Sequence, residues 1–286
     1  MSMLAQTSHV AEVAPAPTFT STVSIEIWPR LVEDAKNVVV REPTLKNWVD
    51  RILIRHDRFE DALAAMLGSK LGNYDVSAIQ LIGLVQGLAE QAPGVVEAAA
   101  ADLEATVSRN PAASTLTTPF LYFKGFAGLQ WHRFAHVLWH QQRRELAFFI
   151  QSRVSDSLGI DIHPAARFGH GVFIDHGHGV VVGETAVVGN DVSILQGVTL
   201  GGTGKTEGDR HPKVGNGVLL GAGAKVLGSI SIGDHAKVAA SSVVLHDVPA
   251  CTTVAGVPAK VVRTCCAPNP ALSMDHSLDK ESGISD

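Results

Sequence analysis

From Val214 to Val244 the chain reads VGNGVLLGAGAKVLGSISIGDHAKVAASSVV, with an aliphatic residue at every sixth position: Val214, Leu220, Val226, Ile232, Val238 and Val244. A period of six matches neither the helical repeat nor the alternation of a simple strand. It fits short strands joined by tight corners, one inward aliphatic to each face, which is a parallel β-helix of three hexapeptides per coil. Gly215, Gly221 and Gly233 directly follow an aliphatic position and can take corner dihedrals.

Upstream, the series continues as Val182, Val188, Ile194 and Leu200, and before that as Ile162, Phe168 and Ile174. Ile160 to Pro249 gives room for about five coils. The period breaks twice. Ile174 to Val182 has two residues too many, within Asp175-His176-Gly177-His178-Gly179. Leu200 to Val214 carries a longer surplus, polar and glycine-rich, from Gly201 through Lys205 to Arg210 and His211.

Before Gly159 the spacing is helical. Leu45, Trp48, Val49, Ile52 and Leu53 share one face, with Thr44 as the expected N-cap. Asp57 is the expected cap of a helix carrying Phe59, Leu63, Met66 and Leu67, stopped at Gly72 and Asn73. Ser77 starts another with Ile79, Ile82, Val85 and Leu88. An alanine-rich helix runs to about Ser108, and Asn110 to Pro119 is a loop. Residues 120–139 and a segment carrying Leu146, Phe149, Ile150, Val154 and Leu158 complete the set. The expected organisation is α+β: a tail over 1–24, a helical domain over 25–158, a β-helix over 159–263 and a flexible tail over 264–286. A stacked solenoid exposes its end coils, so the helical region caps one end and Val254 to Val262 the other.

With 286 residues, 45% of them hydrophobic, the chain can bury a substantial core. A net charge of −5 argues against nonspecific nucleic-acid binding. No apolar run reaches the ~18 residues of a membrane span. Cys251, Cys265 and Cys266 form no even framework, which suggests reduced thiols and a cytoplasmic protein.

The two breaks hold the candidate chemistry. Asp161 falls at the corner before the first face, and His176 heads for the same corner from the third. A carboxylate beside an imidazole fixes its tautomer, so the free nitrogen can take a proton from an alcohol. The competing reading makes Asp161 a corner cap and His176 a solvated loop residue. In the long excursion Lys205, Arg210, His211 and Lys213 add positive charge. Arg210 suits a carboxylate or phosphate, although a charged glycine-rich loop can equally be a solvated excursion. Gly201-Gly202-Thr203-Gly204-Lys205 lacks P-loop spacing, which excludes nucleotide hydrolysis. His163, His170, His176, His178 and His211 show no metal-ligand spacing among themselves, so no metal is expected there.

At these residues the chain resembles the hexapeptide-repeat acyltransferases, and among them the serine acetyltransferase family. The similarity lies in Asp161-Ile162-His163-Pro164, Ile174-Asp175-His176, Gly183-Glu184-Thr185-Ala186, Gln196 to Lys205, Gly208-Asp209-Arg210-His211-Pro212-Lys213, Gly221 to Gly228 and Ala255-Gly256-Val257-Pro258-Ala259. In the helical half it lies in Leu121 to Phe126 and Gln130 to Arg133. The resemblance implies a left-handed β-helix, a homotrimer or dimer of trimers, and acetyl transfer from acetyl-CoA to L-serine to give O-acetylserine. It implies His176 as general base with Asp161 as partner. Asp175, Glu184, Arg210 and His211 would hold serine, and Gly202, Ala222, Gly223 and Lys237 would line CoA. L-cysteine would be a feedback inhibitor, and O-acetylserine sulfhydrylase a partner.

Two departures stand out. Asn110-Pro111-Ala112 replaces the family's usual Asp-Pro-Ala, which removes a charge expected on the ammonium of serine or cysteine. The family's C-terminal Ile, which docks into the sulfhydrylase, is here Ile284, two residues short of the end. That position weighs against the docking. The first departure predicts weak inhibition by cysteine, tightened in Asn110→Asp; inhibition assays giving an unchanged constant in that variant would contradict it.

Overall fold

The computed structural model describes residues 23–204, 207–264 and 269–278. Eight helices come first: α1 (Val23–Arg41), α2 (Lys46–Val49), α3 (Phe59–Leu71), α4 (Ala78–Gln91), α5 (Pro93–Arg109), α6 (Thr117–Tyr122), α7 (Lys124–His140) and α8 (Arg144–Leu158). Ser77 caps α4 as expected, in a reciprocal pair with Gln80. Thr44 and Asp57 do not cap. Pro43–Leu45 is a 3₁₀ turn leading straight into α2, and Arg58 occupies the N-cap of α3. The helix expected over 120–139 is two, because Phe123 is extended and closes α6.

After Gly159, a left-handed C-cap, the chain becomes a parallel β-solenoid of about five turns. Strands β1 (Ile160–Ile162), β4 (Val180–Val182), β7 (Thr199–Gly201), β10 (Lys225–Leu227) and β13 (Val243–Val244) form sheet A. Strands β2 (Arg167–Phe168), β5 (Val187–Val188), β8 (Lys213–Val214) and β11 (Ser231–Ile232) form sheet B. Sheet C contains β3 (Phe173–Ile174), β6 (Ser193–Ile194), β9 (Leu219–Leu220), β12 (Lys237–Val238), β14 (Thr252–Gly256) and β15 (Ala259–Thr264). The six-residue series maps onto this frame. Ile162 pairs with Val182, Val182 with Leu200, Leu200 with Val226 and Val226 with Val244, all buried in the prism. Each contributes roughly 1.5–3 kcal/mol by burial, and a single coil contributes only one per face, so coils hold by stacking. β15 turns back antiparallel on β14 and closes that end.

The helical half sits against the first coil. Gly125 of α7 touches it so closely that a Cβ there would lie 2.0 Å from the Ile174 carbonyl oxygen. Asp102 of α5 is fully buried. It accepts from Gln130 Nε2 at 3.0 Å, Arg133 Nε at 2.8 Å, Arg133 Nη2 at 3.0 Å and the Val172 amide at 2.9 Å. One carboxylate thus ties two helices to the solenoid. Arg109, also buried, reaches Asp191 at 3.0 Å and Ser193 Oγ at 3.2 Å.

Two expectations change here. Residues 269–278 do not hang free: α9 (Pro270–Ser273) lies on sheet C, where Ser193 Oγ donates to the Ala271 carbonyl at 2.9 Å. Ala271 is fully buried, and this apolar contact is what a polar composition hides. Cys251 is in a disulfide, against the expectation of three thiols. Ile284 and residues 1–22 lie outside the described residues. No described helix is long and apolar enough to cross a membrane.

Removing Asp102 leaves the Arg133 guanidinium buried and unpaired. Asp102→Ala should therefore lower stability by about 3–5 kcal/mol in denaturant unfolding, and a loss below about 1 kcal/mol would contradict the tie.

Candidate active site

The candidate residues collect at the two corners that flank sheet A. At the first, between sheets C and A, the two extra residues form a tight turn. The Gly177 amide donates to the Asp175 carbonyl at 2.6 Å, and Gly177 and Gly179 have positive φ. His176 has φ of 55°, a left-handed conformation that costs a non-glycine residue about 1–2 kcal/mol. Its side chain is 74% exposed, with Asp175 Oδ2 at 3.8 Å from Nε2. A strained backbone that presents a base to solvent is the kind of outlier that marks a functional position. Asn110, at the end of α5, donates to Asp175 Oδ1 at 3.4 Å. Lys124 Nζ stands 3.2 Å from His178 Nδ1.

Below this turn the same corner repeats as Gly197, then Ala222-Gly223, then Ser241. Gly179, Gly197 and Gly223 share φ values of 72–73°, and each faces the backbone of the next. The result is a column of glycines, Gly179, Gly197 and Gly223, running down the prism to Ser241 from the turn that carries His176.

The second corner, between sheets A and B, holds the long excursion. Arg210 Nη2 donates to Glu184 Oε2 at 2.6 Å. This pairing holds the Glu184 carboxyl below its usual range, the hydrogen bond being the largest cause. His211 is buried, with Nδ1 2.9 Å from Thr185 Oγ1 and 3.2 Å from the Thr185 amide. An amide can only donate, so Nδ1 is the acceptor and the proton sits on Nε2. Burial first, then the charges of Arg210 and Lys213, push the His211 pKa down. Gly202 packs against the Arg210 carbonyl. Lys205 lies outside the described residues.

Asp161 belongs with this second group. It sits in the middle of β1, paired with Val181, not at the corner before the first face. Its Oδ1 accepts from Gln151 Nε2 at 2.7 Å, and its charge acts on His163. Among the described residues no hydrogen bond or ion pair joins it to His176 within one chain. The six-residue count began the first face at Ile162, whereas the strand starts at Ile160: Ile160 and Ile162 both point inward, so Asp161 faces out from the strand itself. Lys237 is not brought to either corner. It lies on sheet C beneath the tail, donating to the Ser277 carbonyl at 2.6 Å. Lys124 stands beside the first corner within the Leu121 to Phe126 stretch, whereas Arg109, which anchors α5 on sheet C through Asp191 and Ser193, has no repeat or motif that could have announced it.

The chain matches two family models: "Serine acetyltransferase, N-terminal" over residues 27–131 and "Bacterial transferase hexapeptide (six repeats)" over residues 211–246. It is 45% identical to the serine acetyltransferase of Haemophilus influenzae, over 88% of this chain and 95% of that one. It is 47% identical to that of Escherichia coli K12, over 88% and 93%. Among solved structures, a serine acetyltransferase in complex with cysteine superposes with a TM-score of 0.87 at 45% identity, over 89% of this chain and 99% of that one. The Neisseria gonorrhoeae enzyme in complex with serine gives 0.80 at 45% identity, over 82% and 96%. The Brucella abortus enzyme in complex with coenzyme A gives 0.83 at 46% identity, over 85% and 97%.

The seat of His211 depends on Gly183, where a Cβ would lie 2.0 Å from Nε2. Gly183→Ala should push the ring toward water and raise its pKa back toward the ordinary histidine value. An NMR titration, with the resonance identified by its loss in His211→Gln, reads this; an unmoved pKa would refute it.

Proposed function

The chain belongs to the serine acetyltransferase family, and on that premise we propose that it is an acetyl-CoA-dependent acyltransferase acting on the hydroxyl of L-serine. The products are O-acetyl-L-serine and CoA, which supplies cysteine synthesis. One observation carries the reading furthest: His176, held outward in a left-handed turn, heads a corner column bare of side chains at Gly197 and Gly223. A long thioester fits along such a wall with its acetyl carbon at the histidine. Ala222 and Gly223 belong to that column, and relatives crystallised with serine and with coenzyme A support the ligand pair.

In this mechanism His176 takes the proton from serine Oγ as the oxygen attacks the thioester carbonyl carbon. The tetrahedral adduct then collapses, the carbon–sulfur bond breaks, and the CoA sulfur receives the proton. No bond to the enzyme forms. Arg210 holds the serine carboxylate, a task suited to its planar fork, with Glu184 keeping it aimed meanwhile. Asp175 and Asn110 face the ammonium, and His211 Nε2–H supplies a further donor. Cysteine carries the same ammonium and carboxylate, so it competes for this seat.

Arg210 and His211 stand at one corner, His176 stands at the other, and Asp161 lies in mid-strand on the sheet between them without a bond to His176. We therefore assign the complete site to the junction of two copies, with the His176 corner of one facing the Arg210 corner of its neighbour. The Asp161 carboxylate then braces the neighbour's imidazole. Sheet C has its outward residues Phe173, Ser193 and Leu219 buried under α5 and the tail, while Val181 on sheet A is 40% exposed. Sheets A and B are the faces left for a homotrimer or a dimer of trimers.

Thiol release from acetyl-CoA should depend on L-serine and not on sugar hydroxyls. His176→Ala should lower turnover ~10²–10⁴-fold while acetyl-CoA binding, read by calorimetry, survives. Turnover near that of the unaltered protein would overturn the mechanism.

A further inference from the structure

Helix α7 carries His132, His136 and His140, four residues apart and therefore along one face. The three rings differ in surroundings. His132 is buried edge-on against Phe168, with ring centroids 4.9 Å apart. His136 Nδ1 lies 2.7 Å from the Pro164 carbonyl oxygen. A carbonyl only accepts, so the proton is on Nδ1 and the lone pair is on Nε2. Nε2 of the exposed His140 lies 3.1 Å away and donates its proton to that lone pair, a proton that shifts to Nδ1 of His140 or is lost when an ion takes both Nε2 atoms.

Two imidazole nitrogens bound to one metal at 2.0–2.1 Å are about 3.4 Å apart at a tetrahedral angle and about 2.9 Å apart at a right angle. The observed 3.1 Å falls between these. A ligating histidine usually donates its second nitrogen to a carbonyl or carboxylate, which fixes tautomer and ring. The Pro164 carbonyl already does this for His136. Arg133 and Arg167 add positive charge nearby. That disfavours weakly held calcium or magnesium and leaves the ions that prefer imidazole.

We propose that His136 and His140 form a two-histidine site for a divalent transition-metal ion of the nickel, copper and zinc group, separate from the acyl-transfer site. Among the described residues no group of three or more His, Cys, Asp or Glu is placed to hold a metal. Water therefore completes the coordination, and the ion is exchangeable. The pair sits where α7 meets the first coil's turn between sheets A and B: His136 holds Pro164, and Trp139 packs against His163 with centroids 5.1 Å apart. A bound ion would brace that joint.

Trp139 adjoins the pair and reports on it. The untagged full chain, stripped with chelator, is titrated with Cu²⁺ while tryptophan fluorescence and heat are recorded. Quenching should saturate at one ion per chain, and the unfolding midpoint should rise with the ion. In His140→Ala, whose exposed position leaves the fold intact, the saturable quench and the midpoint shift should vanish. Trp139→Phe should lose most of the quench and keep the heat of binding. Absence of a saturable event, or one unchanged in His140→Ala, would overturn the site.

Discussion

A parallel ladder of two- and three-residue strands holds only if every coil repeats the register of the coil beneath it. Ile162, Val182, Leu200, Val226 and Val244 stand in one column because each step preserves that register. A residue inserted within a strand would turn the inward aliphatic outward and break the stack. Extra residues can leave only at corners, so chemistry in this fold collects there. The short surplus delivers Asp175 and His176 to one edge of sheet A, and the long surplus delivers Arg210 and His211 to the other.

The helical half decides which faces remain open. Asp102 draws α5 and α7 onto the first coil, and Arg109 locks the end of α5 on sheet C through Asp191 and Ser193. Asn110 follows Arg109 directly, so the same anchor places it beside Asp175. With sheet C covered, the two corner groups flank the face that remains available to a second copy. Packing of the helical domain and the proposed division of the site between copies are therefore one arrangement.

Much of this was legible in the sequence, because periodicity reports burial directly. The aliphatic series gave strand positions almost residue by residue, and the two interruptions marked both corners. Ser77 and Gln80 were readable as a cap because the signal is local. What was not legible depends on contacts distant in sequence. Asp102 looks like one acid in an alanine-rich helix, yet it takes four donors, and residues 270–278 look like tail yet cover Lys237. Asp161 and His176 read as one pair because counting along a single chain cannot show that Asp161 sits in mid-strand and bonds to Gln151. The pairing of His136 with His140 carries no sequence signal of its own, because the His136 tautomer depends on a carbonyl 28 residues away.

The central claim is that two half-sites on different copies make one active site. Co-expression of His176→Ala with Arg210→Ala tests it most directly, since each variant alone lacks one half at every junction. In mixed trimers, junctions that draw His176 from one copy and Arg210 from another are intact in about a quarter of cases. Serine-dependent CoA release should therefore return to about a quarter of the unaltered level. Activity no higher than that of the separate variants would contradict the account.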